Sequence, residues 1–452
     1  MKTFVILFGF LIPLKALCQD STFIRAIYTE ALEKGRAYSD LRELCKNIGP
    51  RLSGSAKAAM AVDWGEAKFT SYSFDNVYRQ AIMVPHWERG TTESGWITSK
   101  KGRLHKLHLL ALGGSIGTNG LMKGELIEFS SLEELKNASK SKVAGKIVFI
   151  NQKMDAAQIQ TFKAYGGCYA IRGEGAVEAS KKGAIAVLIR SLGLPIDEHP
   201  HTGSMHYEKD VPKIPAAAIS TQDAEMISDW IKTENLNVNL ELNCVEFPDA
   251  PSFNVMGELK GKSNEGIITI GGHLDSWDTG EGAHDDGAGV VHCMEALRIL
   301  KKLGYKPKHT LRVVFFMNEE NGNAGGKAYA KWTKEKGEKQ LAALESDRGG
   351  FAPRGFSCDG SVEYVRLIES FSSIFKPYDL HIFEKGYGGV DIGPLKNEFP
   401  GIPLFGFVPD SQRYFDFHHA PSDIFENVND RELALGAAGI AAFIYLLDQQ
   451  LP

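Results

Sequence analysis

The sequence predicts an α/β protein, a mixed and mostly parallel sheet sandwiched by helices, with a smaller α/β unit inserted into it. Three observations carry that prediction. Beyond residue 246, short and almost wholly apolar runs alternate with longer amphipathic ones, the pattern of a parallel sheet covered on both faces. Between about 115 and 243 a second set of short apolar runs forms a unit of its own, without an accompanying acid–His–Ser or metal-ligand constellation. Glycine is frequent, 47 residues against 18 prolines, which suits tight turns between strand and helix.

Residues 1–18 read as a secretory signal peptide. Lys2 is a short positive start, residues 4–14 are apolar apart from one Gly and one Pro, and Ala16-Leu17-Cys18 offers a cleavage site ahead of Gln19. The apolar run is too short to span a membrane, and no later stretch is expected to reach that length. Export to the periplasm or the extracellular space follows. Loss of Lys2 and Lys15 with this leader takes the formal charge from −5 to −7.

Residues 22–48 place Phe23, Ala26, Ile27, Leu32, Leu41 and Leu44 at helical spacing and end at Gly49-Pro50. A loop at 51–55 and a second helix at 56–72 follow, then strands through roughly 76–111. In the inserted unit, GKIVFI at 145–150, GAIAVLI at 183–189 and IPAAAI at 214–219 are buried strands. Helices are expected at 177–182 and at 221–233, the latter opening on a Ser220/Thr221 cap. Beyond it, strands are expected at 266–272, 311–317, 341–346 and 402–407, and helices at 286–302, 324–337, 361–375 and 430–449. Residues 19–114 and 244–452 thus form two parts of one domain, interrupted by 115–243.

Composition narrows the function. With 43% apolar and 24% charged residues, the chain is not disordered, collagenous or a polytopic membrane protein. Its mild acidity argues against a nucleic-acid partner. The five cysteines beyond the leader are scattered, odd in number and contain no CxxC pair, so neither a disulfide framework nor a thiolate zinc site is expected. A single disulfide stays open.

In open parallel sheets, ligands bind beyond the carboxyl ends of the strands, and the acids and imidazoles gather there. IITIGG at 267–272 runs into His273 and Asp275, residues i and i+2 on one side of an extended chain. His273 can bind a metal while the Asp275 carboxylate takes its second ring N–H; a solvated His–Asp pair is the plain alternative. Asp285-Asp286 opens the next helix, as a bridging carboxylate or simply an acidic cap. LRVVFFM at 311–317 runs into Asn318-Glu319-Glu320, where one acid can bind metal and its neighbour act as general base. Asp347 follows the strand ending near Glu345, and His418-His419 precede Asp423 by five and four residues. Two imidazoles and several carboxylates without thiolate suit a hydrolytic dizinc site.

The motifs GPRLSGS (49–55), PHWERG (85–90), PHTG (200–203), VPKIP (211–215), DAEM (223–226) and GGHLDSWD (271–278) add a specific resemblance. The chain resembles the co-catalytic zinc exopeptidases of the aminopeptidase/glutamate carboxypeptidase superfamily over essentially its whole length beyond the leader. The resemblance implies the zinc-dependent exopeptidase fold, with 115–243 as an inserted protease-associated domain. It implies two Zn2+ ions, His273 and Asp347 on one, Glu320 and His419 on the other, and Asp285 bridging. Glu319 would be general base toward a zinc-bridging water. His419 rather than His418 is the implied ligand, because the family places it four residues before an Asp, here Asp423. A cis peptide at Asp285–Asp286, short peptides as substrates (dipeptides or N-terminal residues) and a homodimer are also implied.

Three positions depart from or extend that pattern. Asn318 stands where relatives carry Thr or Ala. Arg348, large and charged after Asp347, either lines the pocket toward a carboxylate-bearing substrate or forms a salt bridge. Asp391, in a segment resembling one that borders the family's substrate pocket, either meets a substrate amine or caps a helix. His199, His201 and His206 read as a solvated loop or a domain contact. Other amide chemistry on the same scaffold (N-acyl amino acid deacylation, glutaminyl cyclisation) and a metal-free receptor-like relative are the competing readings.

Overall fold

The computed structural model describes residues 12–263 and 265–452. Most of the expected leader therefore lies outside the described residues, and residues 12–18 open the first helix, Ile12–Lys34. The continuous helix expected at 22–48 is broken. Ile12–Lys34 stops ahead of Gly35, where a Cβ would lie 2.2 Å from the Ala31 carbonyl oxygen, and the chain resumes as Ala37–Glu43 and a wide turn at Leu44–Ile48.

Two eight-stranded sheets organise the chain. The first runs Asn76–Glu88, Val245–Leu259, Thr310–Phe316, Ile267–His273, Gln340–Glu345, Leu404–Pro409, Pro353–Asp359, Ile382–Lys385. Its four central strands, from Thr310–Phe316 to Leu404–Pro409, are parallel, and antiparallel pairs flank them. All seven residues of Ile267–His273 are buried, so the strand is apolar without alternation because helices cover both faces. Helices Ala288–Lys302 and Asp430–Gln450 pack together on the sheet.

The helix Asp430–Gln450 corrects one expectation. Its 21 residues are long and apolar enough to cross a membrane by length and composition, which the sequence reading assigned to no stretch after the leader. Most of it is buried in the protein core, which accounts for its alanine- and leucine-rich face-to-face composition.

The second sheet runs Leu104–Lys106, Glu93–Ser99, Leu236–Leu242, Met122–Phe129, Ile147–Ile150, Ala186–Arg190, Ala216–Ile219, Leu109–Ala111. The strands between 93 and 111, N-terminal to residue 115, hydrogen-bond into this sheet and not into the first. Ser220 caps helix Thr221–Ile231, its side chain accepting from the Asp223 N–H at 3.0 Å. The two layers share an apolar contact. Phe162 stacks on Tyr414 at 5.2 Å and Tyr165 on Phe415 at 4.8 Å, so the turn at 414–419 docks into the inserted unit. Cys45, Cys168, Cys244, Cys293 and Cys358 are all buried free thiols.

Candidate metal centre

The four parallel strands end along one edge of the first sheet, and the residues gathered there are those that the strand ends deliver. Ile267–His273 supplies His273 directly. Thr310–Phe316 leads into Asn318, Glu319 and Glu320, Gln340–Glu345 into Asp347, and Leu404–Pro409 into the turn with His418 and His419. Asp285 enters from the turn ahead of helix Ala288–Lys302 and is joined to Asp286 by a cis peptide bond. Only glycine allows this approach. A Cβ on Gly289 would lie 1.7 Å from the Ser346 carbonyl oxygen, and one on Gly272 would lie 2.3 Å from Asp286 Oδ2.

Asp285 sits between two imidazoles. Its Oδ1 is 3.1 Å from His273 Nε2, and its Oδ2 is 3.3 Å from His419 Nε2. Each side gains a further acid: Asp347 Oδ1 lies 3.6 Å from His273 Nε2, and Glu320 Oε2 lies 3.1 Å from His419 Nε2. His418 stacks on His419 with ring centroids 3.6 Å apart but stays 3.8 Å from Asp285. His419 is thus the imidazole that touches both acids.

The charge balance is that of a cation site. Burial opposes ionisation of Asp285, yet the hydrogen bond from His273 and the charges of His419 and His418 hold its carboxyl well below the usual range. Burial, helped by the Asp285 charge, pushes Glu320 up to about 7. Burial also lifts Glu319 well above an ordinary glutamate, with Asp347, Glu320 and Asp391 adding to it against the attraction of His273. Asp285 Oδ2 and Asp347 Oδ1 are buried without a hydrogen-bond partner among the described residues. Such oxygens are costly unless something positive meets them. Donor atoms of His273, Asp285 and Asp347 all lie within 4.8 Å of one another. Two imidazoles with three carboxylates is a donor set that fits zinc.

Asp275 plays a different part from the expected one. The His273 Nδ1 lies 2.9 Å from the Asp275 backbone carbonyl and 3.9 Å from its carboxylate, so the carbonyl is the close acceptor. The carboxylate instead accepts backbone N–H bonds from Asn318 (2.7 Å), Glu319 (3.2 Å) and Glu320 (3.4 Å). It anchors the loop that presents both glutamates, an arrangement invisible in a two-residue spacing.

Other supporting groups were not legible as site residues. Arg51, fully buried, donates to the carbonyls of Leu274 (2.6 Å), Glu281 (2.8 Å) and Gly282 (3.0 Å), tying together the segment that leads to Asp285. The Asp423 carboxylate, seen in the sequence only as a spacing mark, accepts from the N–H groups of His284 (2.7 Å) and Asp285 (3.1 Å). Asp286 accepts from the His273 N–H at 3.1 Å and the Gly289 N–H at 3.0 Å. The motif GPRLSGS, which holds Arg51, was the one available signal.

The inserted unit reaches the same centre. The Thr202 carbonyl and Arg172 Nη1 each lie 3.2 Å from His419 Nδ1, the Thr202 N–H donates to the His419 carbonyl at 2.9 Å, and His201 Nδ1 contacts the His418 carbonyl at 2.7 Å. His201 is therefore a buried domain contact, one of the two roles the sequence allowed. His199 and His206 do not join it at the centre.

Arg348 and Asp391 remain beside the acids. Arg348 forms no salt bridge among the described residues; its guanidinium lies 5.5 Å from the Phe162 ring centroid, with Nη2 3.4 Å from the Tyr387 carbonyl. Asp391 is buried, and neither of its carboxylate oxygens has a hydrogen-bond partner among the described residues. It is not a helix cap.

Comparison with known proteins places this geometry in context. Residues 254–444 match the pattern of peptidase family M28. Carboxypeptidase Q from Bos taurus is 36% identical over 426 residues, 93% of this chain and 87% of the relative. Carboxypeptidase Q from Homo sapiens is 34% identical over 434 residues, 94% and 88% of the two chains. Among solved structures, a peptidase M28 precursor from Shewanella amazonensis superposes with a TM-score of 0.90 at 34% identity, covering 96% of this chain and 97% of that one. A zinc aminopeptidase from Bacillus subtilis shares the fold at a TM-score of 0.64 and 20% identity, covering 93% and 95%.

Proposed function

The chain belongs to peptidase family M28 and is a carboxypeptidase Q-like zinc metallopeptidase, and from that premise we propose that it is a dizinc exopeptidase acting on dipeptides or on the N-terminal residues of short peptides. The observation that carries the dizinc reading is Asp285, one oxygen toward His273 and the other toward His419. In this reading His273 and Asp347 would hold one ion, Glu320 and His419 the other, with Asp285 shared between them. Zinc bound there would supply a Lewis acid for the scissile carbonyl and lower the pKa of water toward 7.

The protein's own groups do the rest. Glu319 takes a proton from the attacking water at its carboxylate and returns it to the leaving amine nitrogen. Burial beside Asp347, Glu320 and Asp391 raises its proton affinity, which strengthens it as a base. Asp275 and Asp423 hold the loops that carry Glu319, Glu320 and Asp285. Asp391, buried and unpartnered, suits a substrate ammonium, and Arg348, without an acidic partner, suits a substrate carboxylate. Together they favour a substrate with both ends free over the N-acylated substrates of the competing reading. We also assign the unit around 115–243, with the strands from residue 93 that join its sheet, as the protease-associated domain, and residues 1–18 as an export signal to the periplasm or extracellular space.

A panel of dipeptides with free and blocked termini tests the assignment. Hydrolysis that requires a free α-amine supports it. Cleavage of N-acylated substrates alone would move the function to deacylation.

A further inference from the structure

A second cluster of ligating side chains lies in the inserted unit, on elements that supply none of the catalytic groups. His105 belongs to strand Leu104–Lys106, His108 follows it by three residues, and Asp223 stands in the first turn of helix Thr221–Ile231. His105 Nε2 is 2.8 Å from Asp223 Oδ1, and His108 Nδ1 is 3.2 Å from Asp223 Oδ2. One ligand atom from each residue lies within 4.8 Å of the others. We propose that His105, His108 and Asp223 form a peripheral site for a divalent transition-metal ion, zinc by the chemistry of its donors.

The geometry supports this in three ways. Nitrogen and oxygen donors sharing one ion at ordinary zinc bond lengths of about 2.0–2.2 Å sit roughly 3–3.5 Å apart, and both His–Asp separations are close to that range. His108 presents Nδ1 to Asp223 while its far nitrogen, Nε2, faces the Glu198 carboxylate at 3.9 Å. That second carboxylate adds negative charge beside the imidazole, which favours a bound cation. The site is also graded in exposure: Asp223 is buried, His105 half-buried and His108 exposed, so solvent ions have access to a fixed carboxylate. The backbone N–H of His108, which donates to Asp223 Oδ2 at 2.6 Å, holds that carboxylate in place. With three protein ligands, a water completes a tetrahedron.

Zinc binding here takes the place of the direct contact between His105 Nε2 and Asp223 Oδ1 and joins the strand to the helix. It acts through the inserted unit and leaves the hydrolytic groups alone. The test compares the full-length protein with His105→Ala/His108→Ala, both stripped of metal and retitrated with zinc chloride. Wild type is expected to bind one equivalent more per chain, with peptide hydrolysis at saturating zinc the same in both. Asp223→Asn guards against a folding defect in the double variant. It keeps the side-chain volume and should lose the same equivalent, together with the zinc-induced rise in melting temperature measured from its own metal-free value. At zinc about 100-fold above Kd, the site raises the folding constant of wild type by roughly 100-fold over that of the variants. Equal stoichiometry and equal zinc-dependent melting in wild type and both variants would overturn the proposal and leave a hydrogen-bonded His–Asp–His cluster only.

Discussion

Replacing Arg51 with leucine tests the supporting frame of the centre. The guanidinium is fully buried and donates to three carbonyls at 3.0 Å or less, those of Leu274, Glu281 and Gly282. Leucine fills part of the volume and supplies no donor. Each buried acceptor left unpaired costs about 1–3 kcal/mol, so three at the low end give about 3 kcal/mol. The charge also faces Asp423, Asp275 and Asp286, which lose their compensation. Removing one partner from such a buried charged network costs about 3–5 kcal/mol, and that is the expected destabilisation. Urea unfolding of the zinc-saturated protein measures it. Arg51→Lys, with one ammonium in place of a planar fork, should recover only part of the loss. A leucine variant within about 1 kcal/mol of wild type would refute the account of Arg51 as the tie between the 274–282 segment and the core.

Further outcomes follow from the same geometry. Glu319→Gln keeps the shape and the loop anchor at Asp275, so zinc content should stay normal while kcat falls by about 10²–10⁴; near-normal turnover would remove Glu319 from the role of general base. Asp423→Asn retains one of two acceptors beneath His284 and Asp285 and should weaken zinc binding by about 10–100-fold, read as the zinc dependence of activity. His292 is buried against Phe407, and burial depresses its pKa to about 3. The unfolded chain therefore binds the extra proton below its ordinary value of about 6.5, and stability falls as pH drops through that value toward 3. Between pH 7 and pH 5 this group accounts for about 2 kcal/mol of lost stability, which His292→Gln should remove from the difference between the two urea curves.

Much of the centre was readable because the strands are short, apolar and end abruptly in acids. LRVVFFM before Asn318-Glu319-Glu320 and IITIGG before His273 are runs whose carboxyl ends can be located to within a residue or two. The supporting groups escaped because their partners are distant in sequence. Arg51 meets Leu274 and Gly282, and Thr202 meets His419, across more than two hundred residues. Asp275 shows a subtler limit. Its spacing from His273 was right, but a two-residue pattern does not tell a carbonyl from a carboxylate, and the loop N–H groups of 318–320 claimed the carboxylate. The helix broken at Gly35 and the strands of 93–111 that join the second sheet were likewise set by packing, which local pattern does not carry. Asp430–Gln450 reads as a possible span from its own residues alone and as a core helix only beside Ala288–Lys302.

The central claim, two metal ions bridged by Asp285, is tested most directly by zinc anomalous diffraction from crystals of the zinc-loaded protein. At this centre, apart from the peripheral His105–His108–Asp223 site, two anomalous peaks about 3.5–4 Å apart are expected, one between His273 and Asp347 and one between Glu320 and His419, each within bonding distance of an Asp285 oxygen. A single peak there, or two peaks with Asp285 bound to only one, would contradict it.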